Sequence, residues 1–389
     1  MMTPESEEAR TRALLAACGF AAAALILVGV LAFLGLRRSE KSDLRFSSPR
    51  GVPSAAALDQ ARRTAERRSE ALSAEAPSGE LFSPTSFWNE RLSPTAPLDP
   101  NSGALVAALV AEIQRERAAG IGPWIGAGAG STPVYRVPAA QPRVRVRLLR
   151  GGQHGRRALQ RAFASVPIPR NAKPAPGLDG HLTVWQPSSD KLWEFFHARR
   201  RGGRWQADWG GAIRRVSKSP GYYTARAWPG AGRHWGATAS SLPVIGGTML
   251  LGELGKGRID HALAINLPAP RAGEFAWPAQ RTDGTGPSTA LPEGARLRLD
   301  PTVNVADLGL TKLGRMMARA AQRYGIVVRD QTGHGTSFWL EVPRGTGKRS
   351  PYGRYFRGKT PAEVLANFPW DRLQVLAMHL CTAAPCDRR

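Results

Sequence analysis

Beyond residue 130 the chain is a succession of short segments in which apolar residues either alternate with polar ones or run together. VYRV (134–137), RVRVRLL (143–149), HLTVW (181–185), KLWEFF (191–196), RWQADWGGAI (204–213), HALAINL (261–267), ARLRL (295–299), GIVVRD (325–330) and SFWLEV (337–342) read as strands. Most are bounded by Gly, Pro, Asn or Asp, the residues that end strands and make turns. A helical period appears in two places. Ser102 is placed to cap a helix with Leu105, Leu109 and Ile113 on one face, ending near Gly120, and residues 311–325 put Leu313, Met316, Met317, Ala320 and Tyr324 on one face before Gly325. Strands outnumber helices and do not alternate with them regularly. The pattern therefore predicts a mainly β fold, an antiparallel β-sandwich or jelly roll with two or three peripheral helices.

The N-terminus breaks this pattern. Residues 13–36, ALLAACGFAAAALILVGVLAFLGL, hold 24 uncharged positions. At about 1.5 Å per residue such a helix spans a hydrocarbon layer of roughly 30 Å. The run ends directly in Arg37 and Arg38 rather than in a small-x-small cleavage site, so an uncleaved signal anchor is expected, with the lipid bilayer as partner. The expected order is a tail (1–12), the transmembrane helix (13–36), a polar and partly helical stalk (37–80) and one β-rich domain (81–389). Basic residues flank both sides of the span, and a count of them alone would keep the domain inside. Long domains cross largely regardless of that charge, so an extracytoplasmic domain on a single-pass membrane protein is expected.

Net charge is +24, with 8 Lys against 46 Arg, scattered rather than clustered and without a nucleic-acid-binding motif. Nucleic acid is not an expected partner. GAGAGS (126–131) leads into a strand instead of a helix, GTGKRS (345–350) lacks phosphate-loop spacing, and no nucleophile elbow or H-E-x-x-H occurs. Of three cysteines, Cys18 lies in the apolar run. Cys381 and Cys386, close in sequence with Pro385 between them, are either a small disulfide ring or two free thiols. No cofactor and no metal site is expected, because His and Cys at ligand spacing are lacking.

The phrases DGHLTVWQPSSDKLWEFFHA, WGGAIRRVSKSPGYYTARAW, TASSLPVIGG, GRIDHALAINL, FAWPAQR, LPEGARLRLD and RAAQRYGIVVRDQTG occur in this order. They resemble those of a family of exported or membrane-anchored β-rich bacterial proteins, frequent in actinobacteria, to which no activity is assigned. The resemblance covers roughly residues 81–380. It implies export and one large domain, and it transfers no catalytic role.

Candidate chemistry gathers on the hairpin. A turn of two or four residues puts His181, Thr183, Trp185, Glu194 and Phe196 on one face and Leu182, Val184, Trp193 and Phe195 on the other. His181 and Glu194 are then close enough for a base and its orienter, or for an ion pair on a solvated face. His261, entering the row Leu263, Ile265 and Leu267, is the third candidate for a His/Glu/His cleft, or a satisfied core histidine. Asp330 in RDQTG reads as turn chemistry. Trp185, Trp277 and Arg281, with the alternating row Arg143, Arg145 and Arg147, are the expected ligand-binding groups, since aromatic faces stack on sugar rings and guanidinium forks match anions. The leading expectation is an anchored envelope protein that binds an acidic polysaccharide. A lyase or hydrolase using His181, Glu194 and His261 is the alternative, and a structural or protein-contacting module the third.

Overall fold

The computed structural model describes residues 81–150, 155–344 and 350–387. The expected span at 13–36 and the stalk at 37–80 lie outside the described residues. Among those described, no helix is long and apolar enough to cross a membrane.

Fifteen strands are described: β1 (Trp124–Gly126), β2 (Val134–Arg136), β3 (Val146–Leu148), β4 (Leu182–Gln186), β5 (Lys191–Phe196), β6 (Arg199–Arg201), β7 (Arg204–Ala207) and β8 (Trp209–Arg214), then β9 (Leu263–Leu267), β10 (Phe275–Ala276), β11 (Arg296–Leu299), β12 (Ile326–Gln331), β13 (Ser337–Trp339), β14 (Leu373–Val375) and β15 (Leu380–Cys381). Two helices are long, α1 (Ser102–Ala119) and, after the short α2 (Arg156–Ala162) and α3 (Leu251–Lys256), α4 (Lys312–Arg323). Two single turns follow, α5 (Gly353–Phe356) and α6 (Pro361–Val364). The chain is thus β-rich with few helices.

The strands form a six-stranded sheet in the order β1-β13-β9-β12-β11-β14, a four-stranded sheet β2-β4-β5-β8, a three-stranded sheet β3-β7-β6 and the pair β10-β15. The first three are mixed. β1 with β13, β9 with β12, β2 with β4 and β3 with β7 run parallel, and the other neighbours run antiparallel. An antiparallel sandwich is therefore not what forms. Period-two burial reports which face of a strand is covered and is silent on the direction of its partner, which long connections leave free. Segment 204–213 also divides, at Asp208, into strands of two different sheets.

Alternation along the six-stranded sheet separates two cores. Leu263, Ile265 and Leu267 of β9 with Ile326 and Val328 of β12 join α1 and α4 in one cluster. Ala264 and Val327 face the other, which holds the four-stranded sheet, Trp88, Trp193 and Trp235. On α1, Leu105, Leu109 and Ile113 are buried as their spacing demands, and Gly120 ends the helix in the left-handed region. Ser102 does not cap it: Asn101 takes that position, and the Ser102 hydroxyl accepts from the Val375 N–H at 2.8 Å. The α4 stripe from Leu313 to Ala320 is buried, with Thr311 as N-cap accepting from the Gly314 N–H at 3.0 Å.

One irregularity positions the site. β12 pairs with β9 residue for residue up to Val328 opposite Ile265, and then Asp330 falls opposite Asn266. This β-bulge adds Arg329 as an extra residue. An unbroken register would set Asp330 opposite Leu267, on the face of α1 and α4, whereas the bulge turns it to the opposite face. Arg329 itself is fully buried and donates to the Val244 and Gly246 carbonyls and to the Thr248 hydroxyl.

Candidate functional site

The β4–β5 hairpin closes over four residues, Pro187–Asp190, and Thr183 stands opposite Glu194. This even turn places His181, Thr183 and Trp185 on one face with Glu194 and Phe196. That face is covered: His181, Thr183, Trp185 and Glu194 are all buried. The cover is the segment Gly236–Val244, which has no regular structure of its own. Ala237 binds both candidate residues, its N–H donating to Glu194 Oε1 at 2.8 Å and its carbonyl accepting from His181 Nε2 at 3.3 Å. Val244 N–H donates to Glu194 Oε2 at 2.9 Å. The Tyr223 hydroxyl lies beside the same carboxyl without completing a regular hydrogen bond.

Burial pushes Glu194 up to about 7, with its two amide donors and Arg329 resisting the shift. Burial likewise holds His181 down at about 4, against Asp179, which favours the charged ring. His181 is therefore neutral near pH 7. Its Nε2 carries the proton given to Ala237. Nδ1 completes no hydrogen bond among the described residues, although the Ser131 carbonyl approaches the ring.

His181 opens onto a polar pocket of about 320 Å³. Phe196 and Trp209 supply aromatic wall, and Arg150 and Arg281 supply guanidinium groups beside Asp179, Asp283 and Asp330. These groups arrive from well-separated parts of the chain. Asp179 and His181 precede β4, Phe196 ends β5, Trp209 begins β8, the 281–283 loop follows β10, and the bulge delivers Asp330 at the end of β12. The 236–239 segment binds them together. Ala239 N–H donates to Asp330 Oδ1 at 2.9 Å, and Arg281 Nη2 donates to the Thr238 carbonyl at 2.9 Å.

Behind the pocket, Glu293 brings its carboxylate to Asp283 and Asp330, with one oxygen of each within 4.8 Å of the others. Burial pushes Asp330 up to about 7, helped by Asp283 and opposed by Arg329. Burial raises Glu293 as well, and Asp330 and Asp283 add to the shift. Asp283, exposed at the mouth, is raised by partial burial of its carboxyl.

The sequence candidates separate accordingly. His181 and Arg281 line the pocket, and Glu194 lies behind it as a tie to the covering segment. The wet-face reading of the hairpin is overturned, because the covering segment excludes water. His261 belongs to another place: its Nε2 donates to Glu253 at 3.0 Å and its Nδ1 to the Ala262 carbonyl at 2.8 Å, in a cavity of about 20 Å³ lined by Trp88 and Leu81. Burial disfavours the charge on this ring, but Glu253 and the two acceptors outweigh it and raise its pKa. With both nitrogens held by oxygen partners it is a structural histidine, and the expected convergence of His181, Glu194 and His261 does not occur.

Trp185 is buried beneath the Arg136 guanidinium, 5.2 Å from its ring. Trp277 packs edge-on against Phe87 and Tyr222, outside the pocket. Arg143, Arg145 and Arg147 are exposed as the alternation implies, but none lines the pocket, and Arg143 is tied to the Ser165 carbonyl at 3.0 Å. Cys381 and Cys386 form a disulfide, and Gln280 holds Cys386 through two hydrogen bonds, 2.8 Å to its carbonyl and 3.1 Å from its N–H. Asp179, Asp283 and Glu293 escaped the sequence reading. Asp283 and Glu293 sit in turn-like TDG and PEG contexts where acidic residues are ordinary.

The chain matches no family model, no curated protein and no solved structure.

Proposed function

We propose that this domain hydrolyses a hydroxyl-rich glycan of the cell envelope, with one or two sugar rings in the pocket and Asp179 and His181 as the proton-transfer pair. The observation that carries the reading is their meeting in one concave site, a neutral imidazole and a carboxylate between aromatic walls. Rings such as Phe196 and Trp209 suit the apolar face of a sugar, and carboxylates and guanidinium groups suit its hydroxyls. The disulfide supports an oxidising, extracytoplasmic location, with residues 13–36 as the anchor in the bilayer.

The test is release of new reducing ends from a panel of purified envelope glycans by the full-length protein. Asp179→Asn and His181→Gln are expected to lower the rate by about 10²–10⁴, with thermal unfolding checked for each, while Arg145→Gln leaves it unchanged. Absence of product from every glycan, or wild-type turnover in both variants, removes the reading.

A further inference from the structure

Glu293 is the least satisfied group beside the pocket. Its side chain is fully buried, and among the described residues neither carboxylate oxygen accepts a hydrogen bond of regular geometry, although Thr282 and the Asp283 amide stand near. Arg281 faces all three carboxylates, yet its guanidinium bonds to the Thr238 carbonyl and its buried Nε has no hydrogen-bond partner among the described residues. An ionised carboxylate so placed is costly unless a proton or a cation accompanies it.

Geometry favours the cation. Ligand oxygens on a calcium sphere of radius about 2.4 Å lie at most about 4.8 Å apart, and the three carboxylates meet that limit with one oxygen each. All three donors are hard oxygens, the class that suits calcium rather than zinc or copper. Asp283 and Asp330 also line the pocket, so water or a ligand hydroxyl can complete the six to eight positions that calcium takes.

We propose that Asp283, Glu293 and Asp330 bind one divalent cation of the calcium class, with its remaining coordination positions turned into the pocket. The ion and its ligands do not depend on the glycan reading. Only the occupant of the free positions, a pair of sugar hydroxyls, rests on it.

Full-length protein stripped with EDTA and dialysed is titrated with calcium chloride alone by calorimetry and, in parallel, with terbium, whose emission Trp209 is placed to sensitise. One saturable site is expected, with a dissociation constant in the range of about 10⁻⁵–10⁻³ M. Glu293→Gln should weaken it at least about tenfold. Asp283→Asn, at an exposed position that leaves folding alone, should do the same. No saturable binding up to about 10 mM, ten times the weak end of that range, overturns the proposal, as does wild-type affinity in both variants. Calcium binding without glycan turnover would remove the hydrolase reading and keep the ion site, and turnover unaffected by EDTA with no calcium binding would do the reverse.

Discussion

Glu194 shows how one side chain can belong to a site without entering it. Both its oxygens are occupied by peptide N–H groups of the covering segment, 2.8 Å from Ala237 and 2.9 Å from Val244. Glu194→Gln exchanges one acceptor oxygen for an amide that faces a donor. A loss of about 1–3 kcal/mol in denaturant unfolding is expected, the cost of a buried amide left without acceptor. An unchanged unfolding midpoint would show that the segment is held by other contacts. Arg145→Gln, on the exposed row, should stay within about 0.5 kcal/mol. The shared face of His181 and Glu194 was legible in the sequence, because the parity of a hairpin turn fixes it. Their burial was not, since the cover comes from Gly236–Val244, whose run of small residues announces no element. His261 misled for a related reason: alternation placed it correctly at the head of an inward row, but the row leads to Glu253 and not to the hairpin.

At the scale of elements, the nine strands and two long helices that were read survived, because each rests on a period that burial enforces. What escaped were five strands of two or three residues, β1, β6, β10, β14 and β15, too short to show a period, together with strand partners and departures from period. Mixed sheets arose where antiparallel ones were expected, and the bulge at Val328–Asp330 broke the count of two that would have sent Asp330 to the α1 and α4 face. RDQTG looked like a turn because the bulge is invisible until β9 is laid beside β12. A second local device lies at Gly294, next to Glu293. It takes φ +86°, its N–H donates to the Val328 carbonyl at 2.7 Å, and an added Cβ would collide with the Ala276 carbonyl. Backbone cannot yield there as a flexible side chain would. Gly294→Ala should therefore cost at least about 2 kcal/mol, combining a left-handed conformation with a steric clash. Gly257→Ala, also left-handed but facing open space, should cost about 1 kcal/mol. Equal unfolding midpoints for the two variants would refute the steric argument.

Across the whole molecule, buried titratable groups pull stability in a definite direction with pH. Glu194 and Glu341 are each pushed up to about 7, burial being the main cause, and His261 is raised by Glu253 despite its burial. Each holds its proton more tightly folded than unfolded. The stability they contribute is complete below the unfolded values, near 4.5 for the carboxyls and 6.5 for the imidazole, and is lost as pH rises through the folded ones. His181, held at about 4, works the other way: its contribution is present above about 6.5 and fades as pH falls towards 4. Between about pH 8 and pH 6.5 the first group acts almost alone. With EDTA present, the melting temperature should rise on acidification from about pH 8 to pH 6 and keep rising towards pH 5, because His181 offsets only one of the two glutamates there. A melting temperature that falls over that interval would show that these groups are not buried as described.

The tail disulfide reaches further than the six-residue ring it closes. Gln280 clasps Cys386 on both sides of its peptide, and the next residue is Arg281, with Asp283 two beyond. A chain-entropy estimate for so small a ring gives only about 2 kcal/mol, so reduction should leave the fold standing. What it should loosen is the wall that carries Arg281 and Asp283, and calcium affinity should drop while the melting temperature moves by a few degrees. A chain kept reduced would then be a finished fold around an unfinished pocket, and oxidation of its last thiols would be the step that arms it.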